Sequence, residues 1–189
     1  MFTLRWLFPA VVLLMIASGL WTGCSTSPSI AVTLHPPYFT SRDRFLQYRL
    51  PAGWFDATAD SQSSGQAIWL LRNDYTATIA VSEVHVDPDA REDLQNAGLT
   101  HLARLTMGLA AGGKAYVLEH PPEWMTVNNI RGCMYQISIP PANDILRIIV
   151  VEMGVRVYMV TALLSGEVKQ GLREEIFAVQ DAFLGGLRW

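Results

Sequence analysis

Three consecutive segments rich in Ile, Val and Tyr constrain the fold of this chain more than any other feature. RGCMYQISI (131–139), ILRIIVVEM (145–153) and VRVYMVTALLS (155–165) follow one another closely, and Gly154 alone separates the last two. Segments of this pattern are typical of β-strands. Connections this short join antiparallel neighbours, because a parallel connection needs a dozen or more residues. The three segments therefore predict hairpin-connected antiparallel strands.

Further alternating segments extend this sheet. Residues 45–54, 66–74, 76–86 and 114–120 have strand patterns, and Asn73-Asp74 marks a hairpin turn between the second and the third. The stretch EHPPEWMTVNN (119–129) has two prolines and no clear alternation, so we expect a loop there. The chain thus carries six or seven predicted strands.

Two segments have helical periodicity. Asp87-Pro88 favours a helix start and Gly112-Gly113 a helix stop. Between them we expect a core-facing stripe of Leu94, Gly98, Leu102, Leu105 and Leu109. A C-terminal helix over about 167–186 aligns Leu172, Ile176, Val179, Phe183 and Leu187. The predicted fold class is α+β: an antiparallel six- or seven-stranded sheet flanked by two amphipathic helices.

Length and charge limit the function. The chain has 189 residues, of which 50% are hydrophobic and 16% charged, which suits one globular domain. Beyond residue 24, thirteen basic against seventeen acidic residues leave a net charge of −4. Nucleic-acid binders present clustered positive charge, so we expect no nucleic-acid partner.

The N-terminus is typical of a secretory signal. Arg5 precedes an apolar run over 6–21 that would cover roughly 24 Å as a helix, short of a hydrocarbon core of roughly 30 Å. Thr22-Gly23-Cys24 then resembles the lipobox of bacterial lipoproteins, with Trp21 where that family usually has Leu. The resemblance implies cleavage before Cys24 and attachment of palmitate-type acyl chains to Cys24.

This resemblance also implies a location in the cell. Ser25 follows the cysteine where the family's inner-membrane retention signal is Asp, so the outer membrane is favoured in a host with two membranes. An uncleaved anchor over 6–21 and simple secretion are the alternatives, and in both Cys24 stays free to pair with Cys133. Otherwise Cys133 is expected to be a small buried hydrophobe. The expected domains are a signal peptide over 1–23, a lipidated Ser/Thr/Pro-rich tether over 24–44, and an α+β domain over 45–189.

The body resembles the PsbP-like family, which includes the DcrB-like bacterial lipoproteins. The resemblance rests on LPAGW (50–54), on Ile130-Arg131-Gly132 and on the final strand–helix unit from Tyr158 to Phe183. It implies a PsbP-like sandwich and a non-catalytic binding or accessory module, with an envelope protein as partner. No partner-contact residue of the family carries over.

Chemical motifs are weak throughout. Glu83, His85 and Asp87 alternate along one strand end, where carboxylates and an imidazole are candidate metal ligands, although a solvated strand end gives the same pattern. GLAAGGKA (108–115) has phosphate-loop spacing but leaves a helix and enters a strand, so we interpret it as a helix stop. We expect no catalytic residues and no cofactor.

Tryptophan placement gives the remaining hypothesis. Trp54, Trp69 and Trp189 are expected to pack against the core, whereas Trp124 in the Pro-punctuated segment is a candidate partner anchor. The alternative function is a small envelope hydrolase or metal-dependent enzyme built from dispersed residues. A deep pocket gathering His85 with two carboxylates would favour the enzyme, and an exposed apolar patch near Trp124 would favour the module.

Overall fold

The computed structural model describes residues 30–189 except 64, 87 and 167–169, and it describes no side chains at 87–90, 92–97 and 167–170. The predicted signal peptide and Cys24 lie outside the described residues. Val32–Trp189 forms one compact unit. Within the described residues, no helix combines the length and the apolar character that a membrane span requires.

The fold is a seven-stranded antiparallel sheet with one helix on each face. The strands are β1 (Phe39–Thr40), β2 (Gln47–Tyr48), β3 (Trp54–Asp56), β4 (Ile68–Arg72), β5 (Ala77–Val84), β6 (Val117–Val127), β7 (Ile130–Ile139), β8 (Asp144–Met153) and β9 (Arg156–Leu164). The helices are α1 (Pro88–Ala110) and α2 (Gln170–Gly185). The main sheet has the order β3-β4-β5-β9-β8-β7-β6, and β1 pairs with β2 separately. The predicted α+β fold class is confirmed.

The predicted meander forms the centre of the sheet. The strands β6 and β7 are joined by the two-residue turn Asn128–Asn129, whose positive φ angles of 45° and 69° suit a tight hairpin. The strands β8 and β9 are joined at Gly154, which has φ of 63°. Since β9 returns to pair with β5, the α1 crossover places β6 at the far edge of the sheet.

The helix α1 covers one face through a core shared with β7 and β8. Leu99, Leu102, Ala103 and Met107 pack there on odd-numbered residues of β7 and even-numbered residues of β8. Thr106 adds a buried polar link, because its Oγ1 lies 3.1 Å from the hydroxyl of Tyr135. The glycines 112 and 113 then end the helix with positive φ, which confirms the predicted helix stop.

The helix α2 covers the other face, and its predicted stripe is confirmed. Ile176, Val179, Phe183 and Leu187 are buried, and Leu172 packs at the edge. A polar network crosses the same interface: Arg147 of β8 donates to both carboxylate oxygens of Asp181, at 2.8 and 3.3 Å, and to the Phe177 carbonyl at 3.1 Å. Gln180 donates to the carbonyl oxygens of Arg147 and Val160. These bonds tie α2 to the centre of the sheet.

The predicted α1 stripe is wrong at its C-terminal end. Leu102 is buried, but Leu105 and Leu109 are 59% and 73% exposed, and the side chain of Leu94 lies outside the described residues. The cause is a kink at Gly98, where φ is 73° and ψ 179°. Beyond the kink the buried face centres on residues 99, 103 and 106, which turns Leu105 and Leu109 away from the sheet.

The loop predicted around Pro121-Pro122 is a strand. β6 runs through both prolines, with register shifts between Leu118 and His120 and between His120 and Glu123. Proline is tolerated here because β6 is an edge strand and irregular pairing leaves its missing N–H unneeded. Trp124 therefore stands on a strand, paired with Cys133.

The boundary between tether and domain lies earlier than predicted. The folded unit begins at Val32 instead of Phe45, and the expected strand over 45–54 is replaced by short strands on either side of a Pro51 bend. Leu34 bridges to Pro51, and Phe39 packs on the core beneath α2. The prediction failed because the Ser/Thr/Pro composition of this segment is typical of a tether, whereas its few apolar residues make contacts with the core.

Candidate functional site

An open cavity of about 450 Å³ lies at one end of the α1 face, and we call it the tryptophan pocket. It is lined by Gly98, Leu99, Trp124, Asn129, Ile130, Arg131, Glu152 and Trp189. Trp124 and Trp189 are 48% and 55% exposed, although buried aromatic side chains are the rule in a core. Two large aromatic surfaces therefore face solvent across one concave site.

Strand register brings the polar groups of the pocket together. Trp124 and Cys133 are partners across β6 and β7, so Trp124 and Arg131 share a sheet face. The Arg131 guanidinium lies 4.1 Å from the centre of the Trp124 ring, a cation–π stack. Glu152 belongs to the same face of the neighbouring β8. The pocket thus combines aromatic surface with one positive and one negative side chain.

Two glycines with positive φ, Gly98 and Gly154, lie beside the tryptophans. At Gly98, in the α1 kink, an added Cβ would lie in ordinary contact with Trp124, 3.8 Å from its Cζ2 atom. At Gly154, an added Cβ would lie 3.6 Å from Trp189 Cδ1. The chain end carrying Trp189 is held by two backbone hydrogen bonds between Gln47 and Arg188, of 2.8 and 3.0 Å. The pocket walls are thereby fixed by backbone elements from both halves of the fold.

The expectation for Trp189 is wrong, because this residue is exposed in the pocket instead of packed in the core. Trp54 is buried as expected, and Trp69 is half-buried. The exposed Trp124 fits the anchor hypothesis. Sequence reasoning missed Arg131, Glu152 and Asn129 because they reach the pocket only through strand pairing.

A second cavity, of about 220 Å³, contains two of the proposed metal ligands. Glu83 and His85 line it together with Arg42, Asp43, Gln66 and neighbouring backbone. Asp87 lies outside the described residues. Arg156 Nη1 lies 3.2 Å from Glu83 Oε2 and 3.3 Å from Asp43 Oδ2, so one guanidinium forms an ion pair with both carboxylates. Among the described side chains, no group of three or more His, Cys, Asp or Glu is arranged to hold a metal ion.

Asp43 is the centre of this cluster. The buried Tyr158 hydroxyl donates to Asp43 Oδ2 at 2.7 Å, the Phe45 N–H donates to Oδ1 at 3.1 Å, and the Ser41 hydroxyl also donates to Oδ1. Burial by itself would raise the pKa of Asp43, but these hydrogen bonds and Arg156 outweigh it and hold the pKa below the ordinary value. The same burial and the Asp43 charge raise the pKa of Tyr158. The cluster holds the N-terminal segment on the sheet.

We expect a specific pH dependence from Asp43. A carboxyl group whose pKa is lowered by folding adds stability at pH values above its unfolded pKa, near 3.9, and loses it as the pH falls through the folded pKa. Asp43→Asn should therefore be less stable than the unmodified chain at neutral pH, with the difference shrinking below about pH 4. Urea unfolding between pH 2.5 and 7 measures this. A difference that stays constant over that range would contradict the assignment.

Cys133 is fully buried, as its sequence context predicts, and it carries no disulfide. Its sulfur lies 3.8 Å from Thr100 Oγ1, and burial raises the pKa of the thiol. A protonated buried thiol is a poor nucleophile. Cys24, the predicted lipidation site, lies outside the described residues.

Comparisons with known proteins give the fold only. No family model and no curated sequence matches the chain. The Ran-binding protein Mog1p of Saccharomyces cerevisiae matches with a TM-score of 0.53 and 8% identity, over 82% of this chain and 96% of that one. PsbP (CyanoP) of Synechocystis sp. PCC 6803 matches at 0.49 with 13% identity, over 90% and 99%. LpqN of Mycobacterium tuberculosis, involved in cell envelope biogenesis, matches at 0.44 with 12% identity, over 80% and 87%. At these identities, the comparisons support an α+β fold of the Mog1p kind.

Proposed function

We propose that this chain is a lipid-anchored accessory module of the cell envelope that binds a protein partner at the tryptophan pocket. The observation that carries the proposal is the pair of half-exposed tryptophans around a cavity of about 450 Å³. Exposed aromatic surface of this kind is costly to keep in water and is typical of a binding site.

The chemistry of the pocket favours a protein partner. Tryptophan and arginine are the residue types enriched at the energetic centres of protein interfaces, and here Arg131 is stacked on Trp124. Glu152 on the rim would orient a partner segment that carries a basic group. Mog1p, whose fold this chain shares, is a Ran-binding protein, so the architecture can serve protein binding. Fold alone does not assign the partner.

The anchor rests on the N-terminal sequence. Thr22-Gly23-Cys24 after a short apolar run supports processing before Cys24, and two or more acyl chains would anchor the protein stably. With Ser25 after the cysteine, we place the module on the outer membrane of a host with two membranes, facing away from the cytoplasm.

Intact mass tests the anchor. Chain extracted from membranes of its host should have the mass of residues 24–189 plus acyl chains, and Cys24→Ala should abolish both the processing and the added mass. An unmodified full-length mass from the unsubstituted chain would contradict the lipoprotein proposal.

Substitution of Trp124 tests the pocket. A photoreactive phenylalanine analogue in place of Trp189 should crosslink to one envelope protein, which can then be purified. We expect Trp124→Ala to raise the dissociation constant of that complex about 30-fold, because an aromatic anchor contributes about 2 kcal/mol. Titration calorimetry with the purified partners measures this change.

Val155→Ala is the matched control for this substitution. Val155 is 75% exposed and lies outside the pocket, so its replacement should leave the affinity unchanged. Equal affinities of Trp124→Ala and Val155→Ala would exclude the pocket as the binding site.

A further inference from the structure

Four apolar side chains form an exposed surface beside the end of α1, which we call the leucine face. Its members are Leu105, Leu109, Tyr116 and Leu118, which are 59%, 73%, 39% and 44% exposed. Scattered single apolar residues on a surface are ordinary, but a group of four needs an explanation.

Contacts between α1 and β7 place Leu109 and Leu118 at the same end of the sheet and on the same side of it. Thr100 contacts Cys133, and Thr106 contacts Tyr135, so α1 runs along β7 in the same direction. Leu109 consequently reaches the level of Ile137, the residue paired with Leu118. Ile137 packs in the α1 core, so Leu118 lies on the same side of the sheet as α1.

The segment that carries the leucine face contains charged residues of one sign. Residues 99–118 contain no Asp or Glu, although the whole chain has more acidic than basic residues. His101, Arg104 and Lys114 are exposed in this segment. A surface with protruding leucines, a tyrosine and flanking cations complements an anionic lipid headgroup layer.

The length of the tether brings the body to the bilayer. The folded unit begins at Val32, so only eight residues, 24–31, separate it from the proposed lipid attachment point. Eight residues span about 28 Å at most, even when fully extended. A domain of this size has a radius of gyration of about 15 Å, so the lipid attachment point holds the body within about one molecular diameter of the membrane surface.

We propose that the leucine face lies on the membrane surface, with Leu105 and Leu109 at the headgroup–acyl boundary and Arg104 and Lys114 beside lipid phosphates. This inference rests on the lipid anchor proposed above. It leaves the tryptophan pocket, which lies at the Gly98 kink of α1, free to bind a partner.

An environment-sensitive fluorophore on Leu109→Cys tests the proposal. The lipidated protein is reconstituted into phosphatidylethanolamine–phosphatidylglycerol vesicles, and its mass is checked first for the acyl chains. We expect the emission at position 109 to shift to shorter wavelength and to be quenched by brominated lipid. The same label on Tyr75→Cys, which is 71% exposed in the β4–β5 turn, should remain in water. Cys133 is buried and should not be labelled.

The outcomes separate the two proposals. A missing acyl mass overturns the anchor. Acylated protein whose position 109 stays in water on vesicles overturns the membrane contact alone, and assigns the leucine face to a protein partner. Charge reversal by Arg104→Glu with Lys114→Glu should weaken the quenching at position 109, and unchanged quenching would overturn the role of the cations.

Discussion

Arg147→Ala is expected to lower the free energy of unfolding by about 3 kcal/mol. Removing one partner of a buried ion pair costs about 3–5 kcal/mol, because the remaining groups lose their hydrogen bonds in a low-dielectric interior. Arg147 is 8% exposed and serves Asp181, the Gln180 side chain and the Phe177 carbonyl. The Asp181 side chain is 37% exposed, so water can reach it and the cost falls at the low end of the range.

Arg72→Ala is the control for this measurement. Arg72 pairs with Asp74 and Glu175, whose side chains are 50% and 46% exposed. Such surface pairs contribute about 0–1 kcal/mol to stability. The free energy of unfolding of this variant in urea should therefore be within about 1 kcal/mol of that of the unmodified chain. If both arginine variants lost the same stability, the network around Arg147 would not be what fixes α2 to the sheet.

The periodicity of the apolar residues predicted those strands and helices whose core-facing residues recur at a regular spacing along their whole length. Successive residues of β7, β8 and β9 face two different cores, one under each helix. The turns between these strands are so short that only antiparallel pairing of neighbours is possible. The stripe of α2 was predictable for the same reason. Periodicity failed at Gly98, because the pattern continues across a glycine whose backbone turns the helix and exposes Leu105 and Leu109.

The site was predictable only at Trp124. Its neighbours Arg131, Glu152 and Trp189 lie 7, 28 and 65 residues further along the chain. Their meeting depends on strand register and on the pairing of Gln47 with Arg188. The register of β6 shifts twice at Leu118–Glu123, which no sequence pattern shows. A sequence identifies one exposed aromatic residue, but only the fold shows that two of them share a cavity.

Composition led to a wrong prediction of where the folded domain begins. Residues 32–44 contain four charged or histidine side chains and two adjacent prolines, and so resemble a solvated tether. In the structure they form an integral strap: Arg42 Nη1 donates to the Ser63 carbonyl at 2.9 Å, and Asp43 accepts from Tyr158. The polar residues of the strap therefore form hydrogen bonds with buried groups of the domain.

A chain that begins at Phe45 is therefore expected to be less stable than one that begins at Val32, by about 2–6 kcal/mol. Truncation removes Asp43 and Ser41, and with them the acceptors for the Tyr158 hydroxyl and the Leu46 N–H, both of which are buried. Each buried donor left unpaired costs about 1–3 kcal/mol. Guanidinium unfolding of the two chains measures the difference.

A matched substitution separates the hydrogen bonds from the bulk of the strap. Ser41→Ala with Asp43→Ala in the longer chain keeps Phe39 and Val32 on the core but removes the same two acceptors. Because the unpaired donors carry most of the expected cost, this variant should lose most of the stability that the truncation loses. If the truncated chain were as stable as the longer one, residues 32–44 would be a tether after all. The body would then stand further from the membrane than the eight residues 24–31 allow.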